Sequence, residues 1–140
     1  MIRSLKTEIR YVEQKDKDFW FLLDKHISFA EFNKKVRDRQ GYILSVDGRN
    51  IGLLRYNLFW DNTPFCNLLY IMDDYQRQGF GKTLMAYWEN EMKSLKYTCL
   101  LSSTRVDEDA KFFYKAIGYD KCGVLNAPNQ PAELLLCKYI

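Results

Sequence analysis

The segment Gln76-Arg77-Gln78-Gly79-Phe80-Gly81-Lys82-Thr83 combines residue types that suit an anion. Two glycines one residue apart let backbone N–H groups face a ligand without interference from Cβ. The apolar run Phe65 to Met72 precedes the segment, and a helical spacing of Leu84, Trp88, Met92 and Leu95 follows it. The glycines therefore open a helix, whose unpaired donors and positive dipole end favour negative charge. Arg77 and Lys82 add formal positive charge on either side of the turn. A diphosphate is the natural guest. A glycine turn that merely starts a helix is the plain alternative, and two glycines with two cations weigh against it.

Three phosphate-binding patterns compete for this segment. Gly81-Lys82-Thr83 has the ending of a P-loop, but the first glycine of that motif falls on position 76, which is Gln76. A Rossmann fingerprint needs a third glycine where Leu84 stands. It also needs an acidic residue about 20 positions on, and Cys99 to Ser103 offer none. What remains is Gln76-x-x-Gly79-x-Gly81 after a buried strand.

The surrounding pattern predicts the elements that must hold this loop. Thr7 to Val12 reads as a first strand. Asp16 or Asp18 caps a helix with Phe19, Leu22, Leu23, His26 and Ile27 on one face. Ser28 and Glu31 have capping-box spacing and start a second helix, for which Gly41 is a stop. Tyr42 to Val46, the turn Asp47-Gly48 and Ile51 to Phe59 form a hairpin. A turn over Asp61 to Pro64 leads to Phe65 to Met72, apolar enough to be buried on both faces. Thr98 to Ser103 is a strand. Asp107 caps a helix whose inner face is Ala110, Phe113, Tyr114 and Ile117, closed by Gly118. Tyr119 to Val124 and Glu133 to Ile140 complete a mixed α/β order, with no regular βαβ repeat.

Gln76-x-x-Gly79-x-Gly81 resembles the acetyl-CoA motif of the GNAT acyltransferase superfamily. A second block, Asp107-x-x-Ala110-x-x-Phe113-Tyr114-x-x-x-Gly118-Tyr119, resembles that superfamily's downstream helix and strand. The resemblance implies a single acetyltransferase domain over residues 1–140. Its fold would be a mixed, mostly antiparallel sheet of six to seven strands, flanked by about four helices, with splayed central strands. It implies acetyl-CoA as cosubstrate, no metal, and acetyl transfer to a primary amine of a small molecule or peptide by direct attack in a ternary complex.

By the same resemblance, the backbone of Leu69, Tyr70 and Ile71 pairs with the pantetheine arm. The amides of Arg77, Gln78, Gly79, Phe80, Gly81 and Lys82 hold the pyrophosphate, with Gln76 and Thr83 at either end. Tyr114 matches the tyrosine that protonates the leaving thiolate, a transfer the intrinsic acidities allow, since a phenol lies near 10 and a thiol near 8.5. Asp107 stands where the superfamily has an asparagine near the coenzyme. No carboxylate lies on Phe65 to Met72, and Thr98 to Ser103 ends in Ser102 and Ser103. Glu133, which could reach the cleft from the other side, is a weak candidate base, with Asp73 and Glu31 weaker. Each also reads as a surface or capping carboxylate, and water is the alternative proton relay. His26, the single histidine, reads as a packed or rim residue. Phe59 and Trp60, with Trp20, Phe29 and Phe32, read as an aromatic wall for the acceptor or as core.

The bulk numbers set the outer bounds. Hydrophobic residues make up 47% of the 140 and charged residues 28%, an ordinary globular balance. A net charge of +3, from 21 basic and 18 acidic residues spread along the chain, does not argue for nucleic acid. No run approaches the ~18 apolar residues of a membrane span, and Met1 to Lys6 lacks the apolar stretch of a secretory signal. Cys66, Cys99 and Cys137 lie inside apolar runs and read as buried, reduced thiols, with Cys122 outside them. A cytoplasmic protein is expected, and a homodimer is compatible with the sequence. Two other functions fit the same motifs: a coenzyme A-binding regulator without catalysis, and an acetyltransferase acting on protein N-termini or lysines. A nucleotide-binding module is disfavoured by the missing glycines.

Overall fold

The computed structural model describes residues 5–140. The first four residues of the segment read as no secretory signal lie outside them. Among the described residues the chain forms seven strands and four α-helices. The strands are β1 (Thr7–Tyr11), β2 (Gly41–Val46), β3 (Arg49–Phe59), β4 (Thr63–Ile71), β5 (Cys99–Arg105), β6 (Asp120–Leu125) and β7 (Glu133–Tyr139). The helices are α1 (Lys17–Leu23), α2 (Phe29–Asp38), α3 (Phe80–Ser94) and α4 (Ala110–Ala116). The strands form one sheet in the order β1-β2-β3-β4-β5-β7-β6. The ladders β1–β2, β2–β3, β5–β7 and β6–β7 are antiparallel, while β4 and β5 run parallel. Their parallel ladder pairs Phe65 with Leu101 and Cys66 with Ser102. This is the mixed, mostly antiparallel α/β fold that the motifs imply.

Contacts divide the chain into two compact units, one of residues 5–56 and 68–87, the other of 57–67 and 88–140. In the first unit, Val12, Trp20, Phe32, Ile43 and Leu53 form a core against which Leu68 and Tyr70 pack. Asp47 and Gly48 both adopt positive φ (50° and 84°), the requirement of a tight hairpin turn. In the second unit, β7 lies between β5 and β6. There Glu89 of α3 accepts from Tyr119 Oη (2.7 Å) and from Lys138 Nζ of β7 (3.0 Å).

Several local expectations are corrected. Asp16 stands at the N-cap of α1, as expected, but its side chain makes no cap bond. Its carboxylate is clamped by Arg10 (2.7 Å to each oxygen) and by the Glu13 amide (2.8 Å). Of the face the spacing gives, Phe19, Leu23 and Ile27 pack on the core. Trp20 is fully buried, whereas Leu22 is 61% exposed and His26 is exposed. The helix ends at Leu23, because Asp24 turns inward to bind Trp20 Nε1 (3.0 Å), Arg55 Nε (2.8 Å) and the His26 amide (3.0 Å).

Ser28 does cap α2, accepting from the Glu31 amide at 3.1 Å. The stop is Arg39 in the left-handed region rather than Gly41, which begins β2. Glycine is needed there for a different reason: a Cβ on Gly41 would lie 2.8 Å from Val12 Cγ1. The turn after β3 is centred on Trp60 and Asp61, both at positive φ, so Thr63 and Pro64 already belong to β4. β4 is not buried on both faces, and Asn67 is exposed. α3 ends before Leu95, which is exposed. Cys66 is buried as expected, but Cys99 and Cys137 are half-buried and Cys122 is exposed; all four are free thiols.

Candidate active site

The loop lies wholly within the first unit. The end of β4 is held by the Met72 amide, which donates to Ile51 O at 2.8 Å. Leu69 and Tyr70 are half-buried there and Ile71 is buried. A 3₁₀ turn over Asp73–Tyr75 follows. The Gln76 side chain reaches back to donate to Ile71 O (2.8 Å) and Asp73 Oδ1 (3.2 Å), and Gln78 donates to Asp74 O (3.1 Å). Both glutamines thus brace the turn with their side chains.

Arg77 and Gly79 take positive φ, 61° and 87°. A Cβ on Gly79 would meet nothing within 4 Å. The glycine is therefore required for its backbone conformation, not for close approach within the chain. Buried Phe80 anchors the start of α3, with Tyr75 against its ring at 6.1 Å. The Thr83 amide donates to Gly79 O (3.0 Å), the first turn of the helix, so the amides of Phe80, Gly81 and Lys82 precede that bond. Arg77, Lys82 and Thr83 are exposed, and Thr83 Oγ1 also bonds Gly79 O.

The sequence reading missed Arg49. Its guanidinium lies over the Tyr75 ring (5.5 Å) and donates to Tyr75 Oη (3.3 Å), adding a third cation beside the loop. No short motif signals it, because it arrives from β3.

Asp107, Tyr114 and Glu133 lie in the second unit. Asp107 does not cap α4, whose N-cap is Asp109. Instead it is gripped by Arg105 at 2.8 and 3.1 Å, and the Arg105 hydrogen bond holds its carboxyl below the ordinary range. The carboxylate that departs from the asparagine pattern therefore carries its own counter-charge.

Tyr114 is 6% exposed, with its ring edge-on to Tyr119 at 5.5 Å. Its hydroxyl is in hydrogen-bond contact with Ser102 and the Cys66 thiol, and Ser102 Oγ in turn donates to Cys66 O (3.2 Å). Burial pushes the phenol far above its ordinary value and the neighbouring Cys66 adds to this, while the Ser102 hydrogen bond opposes it. The acidity argument from free phenol and thiol thus fails in this setting. The buried hydroxyl is a strong holder of its proton and serves as a hydrogen-bond donor.

Glu133 is half-buried at the start of β7, opposite Arg105 on β5 and Leu125 on β6. It lines a cavity of about 610 Å³ together with Phe59, Trp60, Phe65 and Leu101. The weaker candidate bases are otherwise engaged: Asp73 accepts from Gln76, and Glu31 pairs with Lys34 at 3.1 Å. Desolvation raises the Cys99 and Cys122 thiols above their ordinary value.

Comparison with known proteins adds relatives to this geometry. The family model described as the acetyltransferase (GNAT) family matches residues 2–119. No curated protein sequence matches the chain. Among solved structures, Ard1 from Thermoplasma volcanium aligns with a TM-score of 0.85 at 16% identity, covering 96% of this chain and 97% of that one. The ribosomal-protein-S18-alanine N-acetyltransferase from Escherichia coli aligns at 0.81 and 16% identity, covering 96% and 94%. A GNAT family acetyltransferase from Elizabethkingia anophelis, solved with acetyl-CoA bound, aligns at 0.77 and 16% identity, covering 96% and 98%.

Proposed function

Since the chain belongs to the acetyltransferase (GNAT) family, we propose that it transfers an acetyl group from acetyl-CoA to a primary amine, by direct attack and without a metal. The observation that carries this reading is the start of α3. Left-handed Arg77 and Gly79 turn the chain so that the amides of Phe80, Gly81 and Lys82 open the helix, with Arg77, Lys82 and Arg49 around them. Such a nest of donors at a positive dipole end suits a pyrophosphate. The acetyl-CoA reported in the Elizabethkingia relative supports the choice of coenzyme.

The remaining roles follow from chemistry. The ladder from β4 to β5 pairs Phe65 and Cys66, and the backbone of Leu69, Tyr70 and Ile71, further along β4, pairs with the pantetheine amides. One of those amides would stabilise the oxyanion of the tetrahedral intermediate. Tyr114 donates a hydrogen bond to the leaving sulfur and keeps its proton, because burial makes it a very weak acid. Gln76, Gln78 and Thr83 shape the loop, and Asp107 borders the coenzyme with its charge met by Arg105. Glu133 takes the proton from the ammonium. The working compartment is the cytoplasm, and among the described residues no helix is long and apolar enough to cross a membrane. Neither nucleic acid nor membrane is a partner, the chain acts as one domain, and a homodimer remains compatible with the site.

The test is acetyl-CoA-dependent thiol release across amines, polyamines, aminoglycosides and short peptides. Turnover with at least one amine is expected. Tight acetyl-CoA binding with no turnover anywhere would favour a coenzyme A-binding regulator, which the absence of a carboxylate on β5 also suits. Turnover confined to peptides would favour a protein N-terminal or lysine acetyltransferase.

A further inference from the structure

Aromatic side chains held out in water need a reason. Trp60 is 79% exposed, and with Phe59 and Phe65 it forms a continuous wall, the ring centroids 4.6 Å and 6.0 Å apart in succession. Trp60 also occupies a left-handed turn position (φ 56°), where Asn or Gly is preferred and a bulky residue is strained. The turn would form more readily with another residue, yet it presents an indole.

This wall closes one side of the 610 Å³ cavity, whose floor includes Leu101 of β5 and Leu135 of β7. Alternation along β5 sets the chemistry of its two faces. Ser102 points to Tyr114, while Leu101 and Ser103 line the cavity, so the groove and the phenol address opposite faces of one strand.

The groove has one charged group, Glu133, and no basic side chain in its lining. Arg105, across the ladder from Glu133, directs its guanidinium to Asp107 (2.8 Å) and Glu108 (3.3 Å). The volume lies within the roughly 300–1,000 Å³ of small-molecule sites. A concave, largely apolar space with a single carboxylate selects for a cation on an apolar body and against an anion.

We infer that this groove binds a small primary amine with an aromatic or other apolar body, the body against Phe59, Trp60 and Phe65 and the ammonium at Glu133. The word acceptor for this amine rests on the acetyl-transfer reading, but its binding does not. The flat ring stacks on the indole, and the ammonium meets both a carboxylate and aromatic faces. In the transfer reaction Glu133 would first take a proton from the ammonium, and the freed amine nitrogen would attack the thioester carbonyl. The C–S bond would break to expel the coenzyme A thiolate, which takes up the second proton lost by the nitrogen.

The experiment titrates the full chain, without acetyl-CoA, with 2-phenylethylamine, 2-phenylethanol and phenylacetate, following tryptophan fluorescence. Trp20 and Trp88 are fully buried, so Trp60 is the responsive indole. Saturable quenching by the amine is expected, at least tenfold weaker binding of the alcohol, and none of the acid. In isothermal titration calorimetry, which needs no indole, Trp60→Ala should weaken amine binding at least tenfold at an unchanged melting temperature. Glu133→Gln should weaken the amine at least tenfold and leave the alcohol as it was, a pattern that misfolding does not produce. Equal affinity for amine and alcohol would overturn the inference. So would binding indifferent to Trp60→Ala, a Trp60-dependent dimer on gel filtration, or binding only of an apolar tetrapeptide. If the amine binds as described but no amine is acetylated, the acetyl-transfer reading falls and the binding site stands.

Discussion

Tyr114 shows what a sequence can and cannot reveal about a candidate acid. Its place in the Asp107 to Tyr119 block was legible, because the helical spacing and Gly118 mark the element that carries it. Its acidity was not, since that depends on burial beside Ser102 and Cys66, which arrive from distant strands. A phenol with its value pushed so far up does not ionise in the working range, so Tyr114 leaves no basic limb in a pH–rate profile between pH 7 and 10. Tyr114→Phe should lower kcat by about 10²-fold with a small change in the KM for acetyl-CoA, consistent with loss of one transition-state donor. Steady-state kinetics over that pH range check both statements. Gly79 makes a complementary case. Its φ of 87° means that Gly79→Ala strains the loop by about 1–2 kcal/mol, and open space around the position rules out a clash. The expected result is a raised KM for acetyl-CoA with kcat within a few-fold of the parent.

At the scale of elements, the α3 start, the Asp47-Gly48 hairpin and the Ser28 cap follow from local chemistry that a sequence displays. The first helix is different. Of the face its spacing gives, Phe19, Leu23 and Ile27 pack on the core while Leu22 and His26 do not. A buried salt bridge decides where the helix ends. Asp24 is fully buried and Arg55 nearly so, and the carboxylate also serves Trp20 and the His26 amide. That pairing joins residues 31 apart in sequence, so no local pattern announces it. Removing one partner leaves a buried charge, and Asp24→Ala is expected to cost about 3–5 kcal/mol in denaturant unfolding. Ser28→Ala removes only a cap from an exposed helix start and should cost about 1 kcal/mol.

The whole molecule carries two deeply shifted phenols, Tyr114 and Tyr119. Burial raises both; for Tyr119 the hydrogen bond to Glu89 adds to it. Each holds its proton more tightly in the folded chain than in the unfolded one. Their contribution to stability is therefore complete below about pH 10, the unfolded value, and is lost as pH rises above it. Urea midpoints at pH 8, 10 and 11 should fall steeply across the last interval, and Tyr119→Phe should flatten that fall. The element order and mixed sheet were legible because each segment declares its own period. The separation of β4 from β5 was legible only through the resemblance, since strand separation is written in no single segment. That separation has a consequence for how the fold meets its coenzyme. The β4–β5 ladder pairs Phe65 with Leu101 and Cys66 with Ser102, and by the proposed reading the backbone of Leu69, Tyr70 and Ile71 pairs with the coenzyme instead. A pantetheine arm laid along that backbone would act as a short extra strand, making the small molecule part of the sheet. Occupancy then adds to folding free energy, by about 2.7 kcal/mol at a hundredfold excess over Kd, and acetyl-CoA should protect the Leu69–Ile71 amides from hydrogen exchange.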